Sequence, residues 1–496
     1  MRHAFPNQPG LLTIPIEKIH LPLTSRDQLP PLLAGRQWLW THPTLKTELL
    51  ALLAAQSCAG KRAAGRPGMD RWQILVCGGV RRCLAADWDR LEHLANYDAL
   101  VRQMLGLPLT PWGQPAKVFG HQTLRDNVAR LDHELLSASN ARISAAGRAV
   151  FAPHPAAALA PLAIKVDTYV LETDVPFPTD LNLLWDAGRK CLDLLAQYRD
   201  QFGYTLPGWR QAKAWRRQLK SSERTVSQIL KRGGTNKEAR VKSAVRASLA
   251  TGRELSAKVQ TSLLELCAQP VATAHWDHLA YVHGRLNKHL ALVDRRLLPE
   301  ETIPAAEKVF SLFEPHTEWI SKGKTRPAVE LGHRLLIATC QHQLIHDYDA
   351  PMGVAEVDLS IPVTDRLLGR HGPGSLASLS FDKGFSRNAD RELLSLYVPE
   401  VVMPQRGNKN AAETQREHEQ KFVALRRAHR AVESAINRLE PHGLNRGPDA
   451  GRAGYQRYVG YGVMSYNLHV IGRELLARAR ATAEKERAPK PLRVAA

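Results

Sequence analysis

Asp167, Asp382 and Glu433 are the carboxylates whose settings single them out. In IKVDTYVL, alternation puts Ile164, Val166, Thr168 and Val170 on one face of a strand and Lys165, Asp167 and Tyr169 on the other. In SLASLSFDKGF, Asp382 closes the C-terminal end of a second strand, just before Gly384. Open α/β sheets gather their ligands outside such strand ends. Glu433 lies in RRAHRAVESAINRL beside a buried stripe of Val432, Ile436 and Leu439, so a helix packed over the sheet could bring it to the two aspartates. Three carboxylates so placed can hold two Mg²⁺ ions roughly 3.5–4 Å apart, one activating an attacking oxygen and one stabilising a leaving oxygen in phosphodiester cleavage and strand transfer. Each acid also has an ordinary reading. An Asp near a strand end commonly caps a turn, and a Glu on a basic helix commonly forms a surface ion pair worth little. Spacing alone does not choose between them.

The elements that would position these acids alternate in type. Residues 1–150 read as helical, with TLKTELLALLAAQ, DRWQILVCGGVRRCLA and DWDRLEHLANYDALVRQMLG at helical spacing and a basic loop, GKRAAGRPGM (60–69), between the first two. In FGHQTLRDNVARLDHELL the Thr stands where a helix start could lie. Short helices joined by basic turns suit a DNA-binding domain and equally any small helical domain. An Ala/Pro-rich linker (150–163) precedes the Asp167 strand. From residue 186 to about 300 the chain returns to helices with a strongly basic middle, in which Trp209 and Trp215 are interleaved with Arg210, Lys213, Arg216 and Arg217. That mixture suits phosphate contact and base stacking, although tryptophans on a helix more often fill a core. Strands follow in PAVELGHRLLIATC, QLIHDYDA, SLASLSFDKGF and EVVMPQR, separated by helices, with one long helix expected over 411–439. The expected division is a helical N-terminal domain (1–150), a mixed α/β sheet flanked by helices in two stretches (151–185 and 301–475), a basic helical insertion (186–300) and a fraying tail (476–496).

Composition narrows the class of partner. The 496 residues carry 68 Lys+Arg against 48 Asp+Glu, a formal charge of +20. Such an excess in a well-mixed sequence favours a polyanion, because each cation set on a phosphate releases counterions. Six cysteines without a CxxC pair read as reduced thiols rather than a zinc or redox site. No segment reads as a signal peptide or a membrane span, so the expectation is a cytoplasmic protein without a membrane partner.

Several blocks resemble bacterial DDE insertion-sequence transposases, in the broad group that includes the not-yet-classified insertion sequences. VDTYVLETDVPFPTDLNLLWDAGRK (166–190) is similar to their first-Asp block, FEPHTEWISKGKTRPAVELGHRLLI (313–337) to the next, and LSFDKGFSRNADRELL (379–394) to the second-Asp block. HRAVESAINRL with GLNRGPDAGRAGYQRYVGYGVMSYNLHVIG (443–472) resembles the Glu block and its C-terminal helix, and residues 65–96 resemble the N-terminal domain. The resemblance covers most of the chain in order. It implies a ribonuclease H-like catalytic domain and two Mg²⁺ ions, with Mn²⁺ able to substitute. It further implies action on double-stranded DNA at element ends and target, by a homodimer or higher oligomer. It places the metal-binding catalytic acids at Asp167, Asp382 and Glu433. One departure is clear: a Tyr–Arg–Glu–Lys signature known among relatives is absent, since Arg426 and Glu440 stand seven residues either side of Glu433.

Competing acids follow the candidates: Asp174, Asp180 and Asp186 after Asp167, and Asp390 after Asp382. Asp167 is preferred because it lies within the strand. Lys322, Lys324, Arg326, Lys383, Arg430, Arg216 and Arg217 are candidate DNA contacts, each with an equal claim to being an ordinary solvated cation. His333 could approach the acids or simply bond within the sheet. Two other functions fit the same blocks: a non-catalytic DNA-binding descendant of a transposase, and a nuclease of that fold that cuts without joining.

Overall fold

The computed structural model describes residues 12–58, 69–109, 117–232, 234–321 and 328–487. The chain is mixed α/β and divides into two compact units, one of residues 1–174 with 320–496 and one of residues 175–319. Among the described residues no helix is long and apolar enough to cross a membrane.

The larger unit is built on a mixed seven-stranded sheet. Its strands are β1 (Leu162–Thr173), β2 (Glu318–Ser321), β3 (Val329–Thr339), β4 (Ile345–Asp349), β5 (Leu376–Phe381), β6 (Glu400–Val402) and β7 (Arg446–Gly447). The order is β2-β3-β1-β5-β6, with β4 also on β3 and β7 also on β1. β1 is antiparallel to β3 and parallel to β5, so it sits at the centre of the sheet. Its central position explains why Ile164, Val166 and Leu171 are fully buried.

The N-terminal helices do not form the separate domain expected over 1–150. Leu32, Leu33 and Trp72 share one hydrophobic core with β1, β3 and the long C-terminal helix Gly451–Arg487. A polar tie reinforces that union. The Asn467 side chain accepts from the Ile345 N–H at 2.8 Å and donates to the Ile345 carbonyl and to Asn140 Oδ1, both at 2.8 Å. Asn140, on the N-terminal helix His133–Phe151, donates to the same carbonyl at 3.0 Å. One edge strand, one N-terminal helix and the C-terminal helix therefore satisfy each other's buried polar groups, which none could do alone.

Three further boundaries differ from expectation. The helix start read at Thr123 lies three residues earlier, at Gly120, and Thr123 falls inside helix His121–Val128; the next helix, His133–Phe151, starts at Asp132, whose carboxylate caps the Leu135 N–H at 2.8 Å. The long helix over 411–439 is three helices, Ala411–His418, Gln420–His429 and Ala431–Leu439. Glu419 leaves helical geometry there (ψ 135°) with no Gly or Pro to mark the break. The tail read as fraying from 476 stays helical to Arg487, and 488–496 lie outside the described residues.

Among the described residues the second unit contains four α-helices, Asp180–Phe202, Ala212–Lys231, Lys237–Cys267 and Thr273–Leu297. They bury a core of their own. Gly188 is where all four meet: an added Cβ would lie 2.9 Å from Leu219, 3.3 Å from Leu255 and 3.9 Å from Leu286. Ala212–Lys231 buries Leu219 and Val226 and turns Lys213, Arg216, Arg217 and Arg224 outward, so its basic run is a solvated face. Trp209 is no stacking platform. It is 4% exposed, and its Nε1 donates to Ser262 Oγ at 2.8 Å.

Candidate active site

Val166 of β1 pairs with Phe381 of β5 in parallel register, so the next residues, Asp167 within β1 and Asp382 just past the end of β5, stand side by side. Glu433 occupies the first turn of Ala431–Leu439, which packs on β1 through its buried Val432, Ala435 and Leu439 face. Asp167 is half-buried, whereas Asp382 and Glu433 are exposed.

The electrostatics tie these acids together. Burial is the main reason the Asp167 carboxyl is pushed up to about 7. The Thr168 N–H donates to its Oδ1 at 2.7 Å and opposes the rise, while the charges of Asp382, Glu356 and Glu433 reinforce it. Asp167 therefore lies in the field of three further carboxylates. None of Asp167, Asp382 and Glu433 has an ion-pair partner among the described residues. The competing acids all do. Asp174 pairs with Arg446 at 3.0 Å, Asp180 with Arg296 at 2.7 Å, Asp186 with Arg189 at 3.2 Å and Asp390 with Arg387 at 3.5 Å. In a chain of formal charge +20, leaving these three unpaired keeps negative charge available for another cation.

Three residues at this place were not singled out for chemistry by the sequence. Glu356 opens a short 3₁₀ turn, Glu356–Leu359, and accepts a hydrogen bond from the Thr168 hydroxyl, with Arg334 3.8 Å away. Gly384 makes room for it: an added Cβ would stand 2.1 Å from Glu356 Oε2. His429, at the end of Gln420–His429, is hydrogen-bonded through its Nδ1 to Ser380 Oγ, while its Nε2 is buried without a partner. Burial lowers its pKa, and Asp382 and Glu433 pull it back up. The only sequence signal for Glu356 was an acid at the start of a helix, which is ordinarily a capping or dipole effect.

Glu356→Gln is expected to lower the Asp167 pKa, by removing one like charge, and to reduce any activity of the site about 10–100-fold, as loss of an outer partner does. Gly384→Ala should act in the same direction by pushing the Glu356 carboxylate aside, with little loss of stability because a flexible side chain yields. Carboxyl-carbon NMR titration of Asp167 in both variants checks this; an unmoved titration in both would remove Glu356 from the site.

Other candidates fall elsewhere. Lys383 and Arg430 are exposed beside Asp382 and Glu433. Arg216 and Arg217 belong to the second unit, where Arg216 pairs with Asp193. Lys322, Lys324 and Arg326 lie outside the described residues. His333 is fully buried edge-on against Tyr455, with ring centroids 4.9 Å apart.

Among the described residues no three His, Cys, Asp or Glu side chains already close on one point as a metal cage. The donor set nevertheless suits Mg²⁺ in kind: its acids supply hard carboxylate oxygens, and the like-charge repulsion felt at Asp167 is what a divalent cation relieves. Comparison with known proteins finds no matching family model, no matching curated protein and no matching solved structure.

Proposed function

We propose that the chain is a DDE-type transposase that cleaves DNA at the ends of an insertion sequence and joins them to target DNA, with Asp167, Asp382 and Glu433 as its metal-binding acids. The observation that carries this reading is Asp167, set beside Asp382 where the parallel pairing of β1 with β5 ends and held up at about 7 by burial and three anionic neighbours. The ribonuclease H-like character of the larger unit is supported by its mixed sheet, in which the Asp167 strand is central, with an antiparallel neighbour on one side and a parallel one on the other. The +20 charge supports a DNA partner.

Two Mg²⁺ ions held by these acids would supply Lewis-acid activation of the attacking oxygen and stabilisation of the leaving one. The chain's own residues do the rest. Asp382 and Glu433 are exposed, so a DNA strand can reach them, while half-buried Asp167 is fixed by the Thr168 N–H. Lys383 and Arg430 flank the acids in sequence and would meet phosphate oxygens on either side of the scissile bond. Water first breaks the P–O bond at the element end, leaving a 3′-hydroxyl. That hydroxyl then attacks a target phosphate and releases a target 3′-oxygen, so one phosphodiester is exchanged for another.

The test is a duplex carrying the inverted repeat that flanks the gene, incubated with the full chain, Mg²⁺ and a target plasmid. Cleavage and joining are expected. Binding without nicking favours a non-catalytic DNA-binding protein, and nicking without joining favours a nuclease.

A further inference from the structure

Two basic stretches of the larger unit that the catalytic reading leaves without a role, Arg81–Arg82 and Pro448–Tyr461, face each other across a cavity of about 180 Å³. Arg81, Arg82, Arg125 and Arg457 line it, opposed by a single acid, Asp449. Asp449 is already committed: Arg81 grips it with two bonds, 2.9 and 2.6 Å long. Arg82 is 2% exposed, and its guanidinium lies 3.8 Å over the Tyr458 ring. One Arg82 nitrogen donates to the Ala86 carbonyl, but Nε and Nη1 are buried with no acceptor. Arg81 lies 3.7 Å over Trp88, which fixes the second guanidinium. Arg125 is exposed and has no ion-pair partner among the described residues. The cavity also adjoins the N-terminal end of the 37-residue helix Gly451–Arg487, whose dipole adds positive potential.

Buried guanidinium N–H groups that lack an acceptor are costly unless an anion completes them. One water needs roughly 10–15 Å³ of such space, so a tetrahedral oxyanion enters this cavity readily. Guanidinium forks match phosphate oxygens in geometry and charge. We propose that this cavity binds a phosphate group, held by Arg82 and Arg125 with Arg457 beside them, while Asp449 keeps Arg81 in place. The phosphate belongs either to a DNA backbone or to a free phosphate ion or nucleotide. The site stands independently of the catalytic acids.

Thermal unfolding and calorimetry of the full chain with inorganic phosphate, against chloride at matched ionic strength, test the proposal. Phosphate is expected to raise the wild-type midpoint. Arg125→Gln, an exposed change that spares the core, and Arg457→Gln should each weaken phosphate binding roughly tenfold or more. Arg246→Gln, an exposed change on the second unit, should leave it unchanged, and the titration is run without Mg²⁺, which keeps this test separate from that of the catalytic reading. Duplex DNA identifies the source. A DNA phosphate is indicated if Arg125→Gln also weakens duplex binding and lowers its salt dependence by about one counterion. A free phosphate is indicated if duplex binding is untouched. No phosphate effect in the wild type, or an effect that survives in both Arg125→Gln and Arg457→Gln, overturns the proposal.

Discussion

Replacing Asp167 by Asn is expected to cut Mg²⁺-dependent DNA cleavage by about 10³-fold or more while making the protein more stable above neutral pH. The loss follows if the carboxylate contributes several kcal/mol of charge stabilisation, at about 1.36 kcal/mol per factor of ten. The gain follows from the titration. The Asp167 carboxyl is raised from its ordinary 3.8 to about 7, so the folded state binds its proton more tightly than the unfolded chain does. Its contribution is therefore fully present below about pH 4 and is lost as pH rises through about 7. Asn carries no such titration. The stability difference, variant minus wild type, should grow from about pH 4 to pH 8, by a few kcal/mol at most at ~1.36 kcal/mol per unit. Mg²⁺ should raise the wild-type midpoint at pH 8 and leave the variant's unmoved, by ligand linkage to the native state. Denaturation curves at several pH values, with and without Mg²⁺, check both statements. A pH-independent difference would mean that Asp167 does not titrate as described.

Gly472→Ala should destabilise the larger unit by about 3 kcal/mol, the upper end for overpacking. In an ordinary helix the same change stabilises by about 1 kcal/mol, because glycine is the poorer helix former. Here the sign reverses. A Cβ on Gly472 would stand 1.8 Å from the Pro31 carbonyl oxygen and 2.7 Å from the Gly35 nitrogen. Reciprocally, a Cβ on Gly35 would stand 2.0 Å from the Leu468 carbonyl oxygen. Helices Leu29–Thr41 and Gly451–Arg487 thus touch backbone to backbone, and no side chain is available to swing away. Urea unfolding followed by the N-terminal tryptophans reads the loss; a variant as stable as the wild type would show that the helices can part without cost.

What the sequence disclosed depended on how local each cause was. β1, β3, β4, β5 and β6 were legible because short apolar or alternating runs bounded by turn residues encode strands directly. Asp167 was legible as an acid inside such a strand, and Asp382 as an acid closing one. Glu356 was not, because its place beside Asp167 arises from a hydrogen bond to Thr168 spanning 188 residues. The false boundary near 150 has a similar origin. Asn140 and Asn467 look like isolated polar residues in helices until the fold brings them together across 327 residues. The break at Glu419 carries no Gly or Pro, so helical periodicity ran through it unmarked. Nor could composition distinguish the solvated cations of Ala212–Lys231 from the buried arginines beside Asp449, since both read as basic helix.

Of the three acids, Glu433 rests on the least: an exposed side chain on a helix, linked to Asp167 by its field. The most direct measurement is single-turnover release of a 3′-hydroxyl at an element-end duplex in Mg²⁺, comparing the wild type with Glu433→Gln under conditions where both bind the duplex equally. Mg²⁺-dependent cleavage by the wild type and none by Glu433→Gln is the expected result. Equal cleavage by the two would contradict a site built from Asp167, Asp382 and Glu433.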